Sequence, residues 1–373
     1  MLELQEEKVK IQVEAVQAIA ENNGGIVAIA TGGGKSKIAI DYIRIREIAE
    51  QRQLSILLVV PTEKLRDENW KGEFIEWNNN GVYDRVDRYC YASINKLRHK
   101  HYDVAIFDEI QNITENNAEF FTNNEVDTLI ALTATVPKEH EKAQILREQG
   151  LKVVYELSLD EAVKRGVVAP YQITTVGFHL DDKDKYIKAG SKVKSWMTTE
   201  VKQYQYLASL VSKAVGAKKK FAALTRMHFL YGLKSREIAA KYLLKFVIPE
   251  NERTLIFAGN IVLAENLESN SFHSKSNDVA YNKFMKEEIN RLSSVKSLNE
   301  GMNIPNLDNA LIAQINSKER HLIQKIGRIV RFRPGHIANI YIMYAMGTVD
   351  REWLIKSLDN IDKTNIKHIT LKF

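Results

Sequence analysis

Residues 29–36, IATGGGKS, set three glycines, a lysine and a hydroxyl between two apolar runs. Glycines let backbone amides turn toward phosphate oxygens with no Cβ in the way, and the start of a helix adds a partial positive charge. Thr31, Gly32, Gly33 and Gly34 would form the cradle, Lys35 would reach the outer phosphates, and Ser36 would hold Mg²⁺. A second run, VAIFDEIQN, puts Asp108 and Glu109 directly after four apolar or small residues. Carboxylates at the carboxyl end of a strand sit where open α/β sheets bind ligands. Asp108 would take the Mg²⁺ and Glu109 would orient or deprotonate an attacking water. The run TLIALTATVP ends in Thr133 and Thr135, small hydroxyl residues placed to sense the nucleotide.

These groups need rigid elements to present them. GIVAIA before the glycines reads as a short buried strand, and KIAIDYIRI after them carries Ile38, Ile40, Ile43 and Ile45 as the apolar side of a packed helix. Strand, Gly-rich turn and helix form the context that phosphate binding requires. The runs around Asp108 and Thr133 supply further strands, so the first part of the chain reads as α/β. At 373 residues the chain exceeds the size at which single cores stop growing, and two domains are expected. The first should run over 1–165 and the second over 166–373, opening with YQITTVGFHL as a strand.

Charge marks a third region. The net charge is +6, yet between Lys183 and Lys245 there are 15 Lys and Arg against 3 acids, so the remainder of the chain is net acidic. Val201, Tyr204, Ala208, Val211 and Val215 recur at helical spacing, as do Ile238, Tyr242 and Phe246. Residues 183–248 therefore read as a basic helical insertion in the second domain. Lys218, Lys219 and Lys220, with Trp196, Tyr204 and Tyr206 interleaved nearby, suit contact with nucleic acid: lysines on phosphates, aromatics on bases. The single cysteine, Cys90, and a charged start to the sequence fit an intracellular, cytoplasmic protein, and no apolar run approaches the roughly 20 residues of a membrane span.

The order of these motifs resembles the superfamily 2 helicases and translocases. IATGGGKS is similar to their motif I, VVPT (59–62) to motif Ia, FDEIQN to motif II and LTAT to motif III. TLIFAG (254–259) is similar to motif IV, LNEGMNIPNLD (298–308) to motif V and QKIGRIVRFRPG (324–335) to motif VI. IQVEAVQAI resembles the glutamine motif. The resemblance spans about 10–335. It implies two RecA-like P-loop domains in tandem, with ATP and Mg²⁺ as cofactors and nucleic acid, DNA above all, as the track. Gln12 would lie at the adenine, Gly301 and Gln324 near the nucleotide, and Arg328 and Arg331 would reach the γ-phosphate from the second domain. Thr62 and His273 would touch nucleic acid. Gln111 stands in motif II where many members have His or Asp, and Ile11 precedes Gln12 where an aromatic is usual. SLDEAVKRGVVAPYQITTV (158–176), FHSKS and EGMNIP look most like phage and bacterial DNA translocases allied to restriction-enzyme motor subunits.

The reading this supports is a nucleic-acid-dependent ATPase that unwinds, migrates or remodels DNA, monomeric and without a membrane. A nucleic-acid clamp with little motor activity and an RNA helicase are the alternatives. A small-molecule kinase accounts for neither the second lobe nor motif VI. Targeting would come from the insertion or from a recruiting protein partner.

Overall fold

The computed structural model describes residues 2–30, 32–134, 136, 140–190, 194–295, 304, 306–315, 336–359 and 361–372. The chain divides into two compact units, Met1–Ala169 and Pro170–Phe373. In the first, strands β1 (Gly24–Ile29), β2 (Ile56–Val60), β3 (Asp87–Cys90), β4 (His101–Phe107), β5 (Glu125–Thr133) and β6 (Val153–Leu157) pair in the order β3-β2-β4-β5-β1-β6. Every pairing is parallel. Every residue of β1 and β2 is buried, which explains why these runs show no alternation: helices cover both faces of such a sheet. Because β5 lies between β1 and β4, the carboxyl ends of those three strands stand side by side. That order brings residues 29–30 and 32–36, Thr133 and Asp108 to one edge.

Packing fixes that edge. Phe107, the last residue of β4, is wholly buried against Tyr91, Phe120 and Phe121, with ring centroids at 6.0, 5.7 and 5.5 Å. Burying such a side chain contributes about 1.5–3 kcal/mol and holds the backbone just before Asp108. The helix Lys35–Glu50 buries Ile38, Ala39, Ile40, Tyr42 and Ile43. Ile45, counted on that face from its spacing, is 52% exposed, since it falls past the end of the stripe. Val167, Val168 and Ala169 are buried, and Val168 lies beside Gly32, so these residues pack with the first unit.

The second unit holds β7 (Tyr171–Phe178), a separate antiparallel hairpin of β8 (Ile187–Gly190) and β9 (Ser195–Thr198), then β10 (Thr254–Phe257), β11 (Ser271–Phe272), β12 (Arg291–Ser294), β13 (Asn309–Ile312), β14 (Ala338–Ala345) and β15 (Ile366–Thr370). Seven strands form a parallel sheet in the order β11-β12-β10-β13-β14-β7-β15. Between β9 and β10 come the helices Glu200–Lys213, Gly216–Tyr231 and Lys234–Phe246. The first two pack on each other.

The third belongs to the core. Ala239, Ala240, Leu243 and Leu244 are buried with Val176, Phe178, Ile256 and Met343 from the sheet. The face expected from spacing, Ile238, Tyr242 and Phe246, is exposed instead, because two alanines let the opposite side of the helix approach the sheet more closely. Val215 is likewise 82% exposed, beyond the end of its helix. Within this unit Arg236 is fully buried. It donates to the carbonyls of Leu230 and Ala313 at 3.0 and 2.7 Å, pairs with the buried Asp350, and lies over the Phe178 ring. Among the described residues no helix is long and apolar enough to cross a membrane, and no group of three or more His, Cys, Asp or Glu could hold a metal ion.

Candidate nucleotide site and nucleic-acid surface

The glycine loop is shaped by its own sterics. Gly34 caps the helix Lys35–Glu50 with φ +82°, a left-handed conformation that side chains rarely adopt, and a Cβ there would stand 2.6 Å from the amide nitrogen of Gln12. Gln12, buried on the helix Leu2–Glu21, thus lies directly against the loop. Lys35 and Ser36 are the first two residues of the helix. The Lys35 ammonium donates to the carbonyl of Ile29 at 3.0 Å.

Asp108 follows β4 and is held from three sides. Its Oδ2 accepts from the indole N–H of Trp70 at 2.9 Å, its Oδ1 accepts from the backbone N–H of Glu109 at 3.0 Å, and its carbonyl accepts from the Tyr91 hydroxyl at 2.9 Å. Burial raises the proton affinity of this carboxyl above the ordinary aspartate range, and the neighbouring Glu109 adds to the effect. The Trp70 hydrogen bond and the charge of Lys35 oppose it, so the loop lysine acts electrostatically on Asp108. Burial also pushes the Tyr91 phenol up.

Glu109 has φ +51°, the left-handed region for a side chain that gains nothing from it, at a cost of about 1–2 kcal/mol. That turn aims its carboxylate back at Gln111, whose amide nitrogen donates to Glu109 Oε2. The amide oxygen of the buried Gln111 accepts from the Thr133 hydroxyl at 2.7 Å, and the ammonium of Lys142 donates to the Gln111 carbonyl at 2.6 Å. A relay thus runs from the end of β5 through Gln111 to Glu109.

This arrangement fits a bound Mg²⁺ nucleotide. Among the described residues, a buried carboxylate lacking a direct cationic partner stands at the strand end, beside a loop in which a Cβ on Gly33 or Gly34 would stand 2.3 Å from Ile29 or 2.6 Å from Gln12. The structure brings together Gln12, Gly32, Gly33, Gly34, Lys35, Ser36, Asp108, Glu109, Gln111 and Thr133 in one unit. Thr31, Thr135, Gly301, Gln324, Arg328 and Arg331 lie outside the described residues. Sequence reasoning missed Trp70 and Lys142. Neither carries a spacing signal, since each reaches the site from an element distant in sequence.

The residues expected to touch nucleic acid fare differently. Lys218, Lys219 and Lys220 are all exposed near the start of the helix Gly216–Tyr231, which has no acidic residue in its first turn. Cations there oppose the helix dipole, so the cluster does not serve helix stability. Trp196, Tyr206 and Phe221 are 56%, 58% and 74% exposed. Tyr204 is not available to stack on a base: it is buried, and its hydroxyl accepts from the Val349 N–H at 2.8 Å. Thr62 is exposed, and its Oγ1 accepts from the Leu65 N–H at 3.3 Å, capping the turn that follows. His273 is buried. Its Nδ1 accepts from the Lys275 N–H at 3.3 Å and its Nε2 faces Glu265 at 3.2 Å, so the ring orders its own loop rather than facing solvent.

Comparison with known proteins follows the same division. The family model "Type III restriction enzyme, res subunit" matches residues 2–130, and "Helicase conserved C-terminal domain" matches residues 239–333. The DNA 3'-5' translocase XPB2 of Sulfurisphaera tokodaii is 23% identical over 379 residues, covering 91% of this chain and 82% of its own length. Among solved structures, the ATP-dependent Type ISP restriction-modification enzyme LlaBIII bound to DNA aligns over 98% of this chain with a TM-score of 0.63 and 14% identity. This chain spans 31% of that much longer one. The helicase domain of Pyrococcus furiosus Hef aligns over 94% of this chain and 97% of its own, with a TM-score of 0.54 and 13% identity. Family models that follow each other as the two units do, and a relative matched across nearly the whole length, support a superfamily 2 helicase or translocase.

Proposed function

We propose that the chain is a cytoplasmic, DNA-dependent ATPase that moves along or remodels DNA. The observation that carries this reading is the relay Thr133–Gln111–Glu109 beside Asp108 and the glycine loop, in a chain similar over 91% of its length to a DNA translocase. A Mg²⁺ ion held by Ser36 and Asp108 would neutralise developing phosphate charge. The amides of Gly32–Gly34 and the Lys35 ammonium bind the phosphates. Glu109, aimed by Gln111, accepts a proton from the water that attacks the γ-phosphorus as the bond to the β-phosphate oxygen breaks, giving ADP and phosphate. By the resemblance of motif VI, Arg328 and Arg331 would supply positive charge to that transition state, an effect worth about 10³-fold or more.

Contacts to the track are to sugar and phosphate, at Thr62 and at Lys218–Lys220, so binding is salt-sensitive and largely independent of base sequence. The test is ATPase rate against single-stranded, duplex, forked and four-way-junction DNA and RNA, paired with displacement of a third strand from duplex DNA. Stimulation by DNA with strand displacement is expected. Stimulation without displacement favours a clamp, equal stimulation by RNA removes the DNA assignment, and no stimulation refutes the reading.

A further inference from the structure

Asp108 is the residue proposed to bind Mg²⁺, and what orients its carboxylate is an aromatic side chain with no charge. Trp70 is 2% exposed and opens the helix Trp70–Glu76, which follows one turn of π-helix, Leu65–Asn69. Its ring packs on Phe74 at 6.1 Å, and Phe74 packs on Tyr83 at 5.6 Å. Packing of this kind leaves the indole little freedom, and its N–H lies 2.9 Å from Asp108 Oδ2.

The chemistry of the donor matters. An arginine or lysine in this place would cancel the negative charge that a cation needs, whereas an indole N–H is a neutral donor with no other capacity. Each oxygen of Asp108 accepts one hydrogen bond, Oδ2 from Trp70 and Oδ1 from the Glu109 backbone, and each keeps a second lone-pair direction for a metal. The carboxylate plane is therefore set before any ion arrives. Resting on the reading of Asp108 as a metal ligand, we propose that Trp70 is the positioning residue of that ligand, fixing which face of the carboxylate meets the divalent cation.

Loss of a hydrogen-bonding partner behind a metal ligand typically lowers metal affinity about 10- to 100-fold. The experiment titrates Mn²⁺ into the full chain with a non-hydrolysable ATP analogue and reads bound Mn²⁺ by electron paramagnetic resonance. Nucleotide affinity in chelator is measured alongside. Trp70→Phe is expected to lose at least about tenfold in Mn²⁺ affinity, with metal-free nucleotide affinity unchanged. Phe74→Leu, which disturbs the same packing but donates nothing to Asp108, is expected to keep wild-type Mn²⁺ affinity. Trp70→His, which retains a ring N–H, should fall between Trp70→Phe and wild type, so the order of the two substitutions remains informative if either is less stable.

Asp108→Asn separates the metal ligand from the residue that positions it. If it abolishes Mn²⁺ binding while Trp70→Phe leaves it within about twofold of wild type, the role of Trp70 is overturned and the metal site stands. If Asp108→Asn leaves Mn²⁺ affinity intact, the metal reading falls first. An equal loss in Phe74→Leu and Trp70→Phe reduces the indole to packing alone and also overturns the proposal.

Discussion

Replacing Gln111 by Glu tests the relay at its centre. The amide nitrogen of Gln111 donates to Glu109 Oε2 while its oxygen accepts from Thr133 at 2.7 Å. Glutamate fills the same space and keeps the acceptor for Thr133, but it sets a second carboxylate against Glu109. Two unit charges about 4 Å apart at an effective dielectric of about 20 repel by about 4 kcal/mol. At 1.36 kcal/mol per pKa unit, that is about 3 units on the proton affinity of the pair. The two carboxylates would then compete for one shared proton, which weakens Glu109 as the acceptor of a proton from water. DNA-stimulated turnover at neutral pH should fall at least about 100-fold and recover as pH rises, while KM for ATP stays close to wild type because the phosphate contacts are elsewhere. Gln111→Leu removes both bonds without adding charge, so its turnover should drop about 100-fold through misorientation with no alkaline recovery. Steady-state phosphate release from mildly acidic to mildly alkaline pH distinguishes the two. A Gln111→Glu protein with the wild-type pH profile would refute the relay.

Glu109→Gln should bind Mg·ATP normally and hydrolyse it orders of magnitude more slowly, seen as tight retention of radiolabelled ATP on a filter without release of phosphate. Arg236→Met should cost about 3–5 kcal/mol in urea denaturation by stranding Asp350, and Arg236→Met with Asp350→Leu should recover most of it; a double variant no better than the single contradicts the ion-pair account. The Arg52 guanidinium beside Asp103 holds that carboxyl well below the usual range. Its contribution is therefore whole above the unfolded value of about 3.9 and is lost as pH falls below it. Asp103→Asn should be about 2 kcal/mol less stable near neutrality, with the gap to wild type closing in acid. Changing Lys218, Lys219 and Lys220 together to Glu should weaken DNA binding and reduce its salt slope by about 0.7–0.9 for each phosphate no longer neutralised, with ATPase in the absence of DNA retained.

The glycine loop between strand and helix and the two α/β units were legible in the sequence because glycine sterics and buried parallel strands act locally. Gly34 declares its left-handed backbone by its type, and β1 and β2 declare themselves by unbroken apolar runs. Roles set by distant partners were not legible. Ile238, Tyr242 and Phe246 satisfy the helical period as well as Ala239, Leu243 and the residues beside them, and only the sheet decides which side is covered. Tyr204 reads as a stacking platform until the N–H of Val349 claims its hydroxyl. A buried arginine such as Arg236 is invisible in sequence, because nothing near it announces Asp350. Trp70 likewise reads as ordinary core until β4 is set beside it.

The pairing of β7 with β14 has a consequence for how the second unit is made. Tyr171 meets Ala338 and Phe178 meets Ala345 across a parallel ladder, so the strand that opens this unit waits for one encoded far downstream. As the polypeptide leaves the ribosome, the first unit already has all six of its strands, whereas β7 emerges with both edges unpaired. An open edge of buried-type residues invites pairing with another nascent chain, and non-local parallel pairing forms slowly. Synthesis of the second unit thus carries a window of exposure to chaperones and to aggregation that closes only when β14 and β15 are delivered.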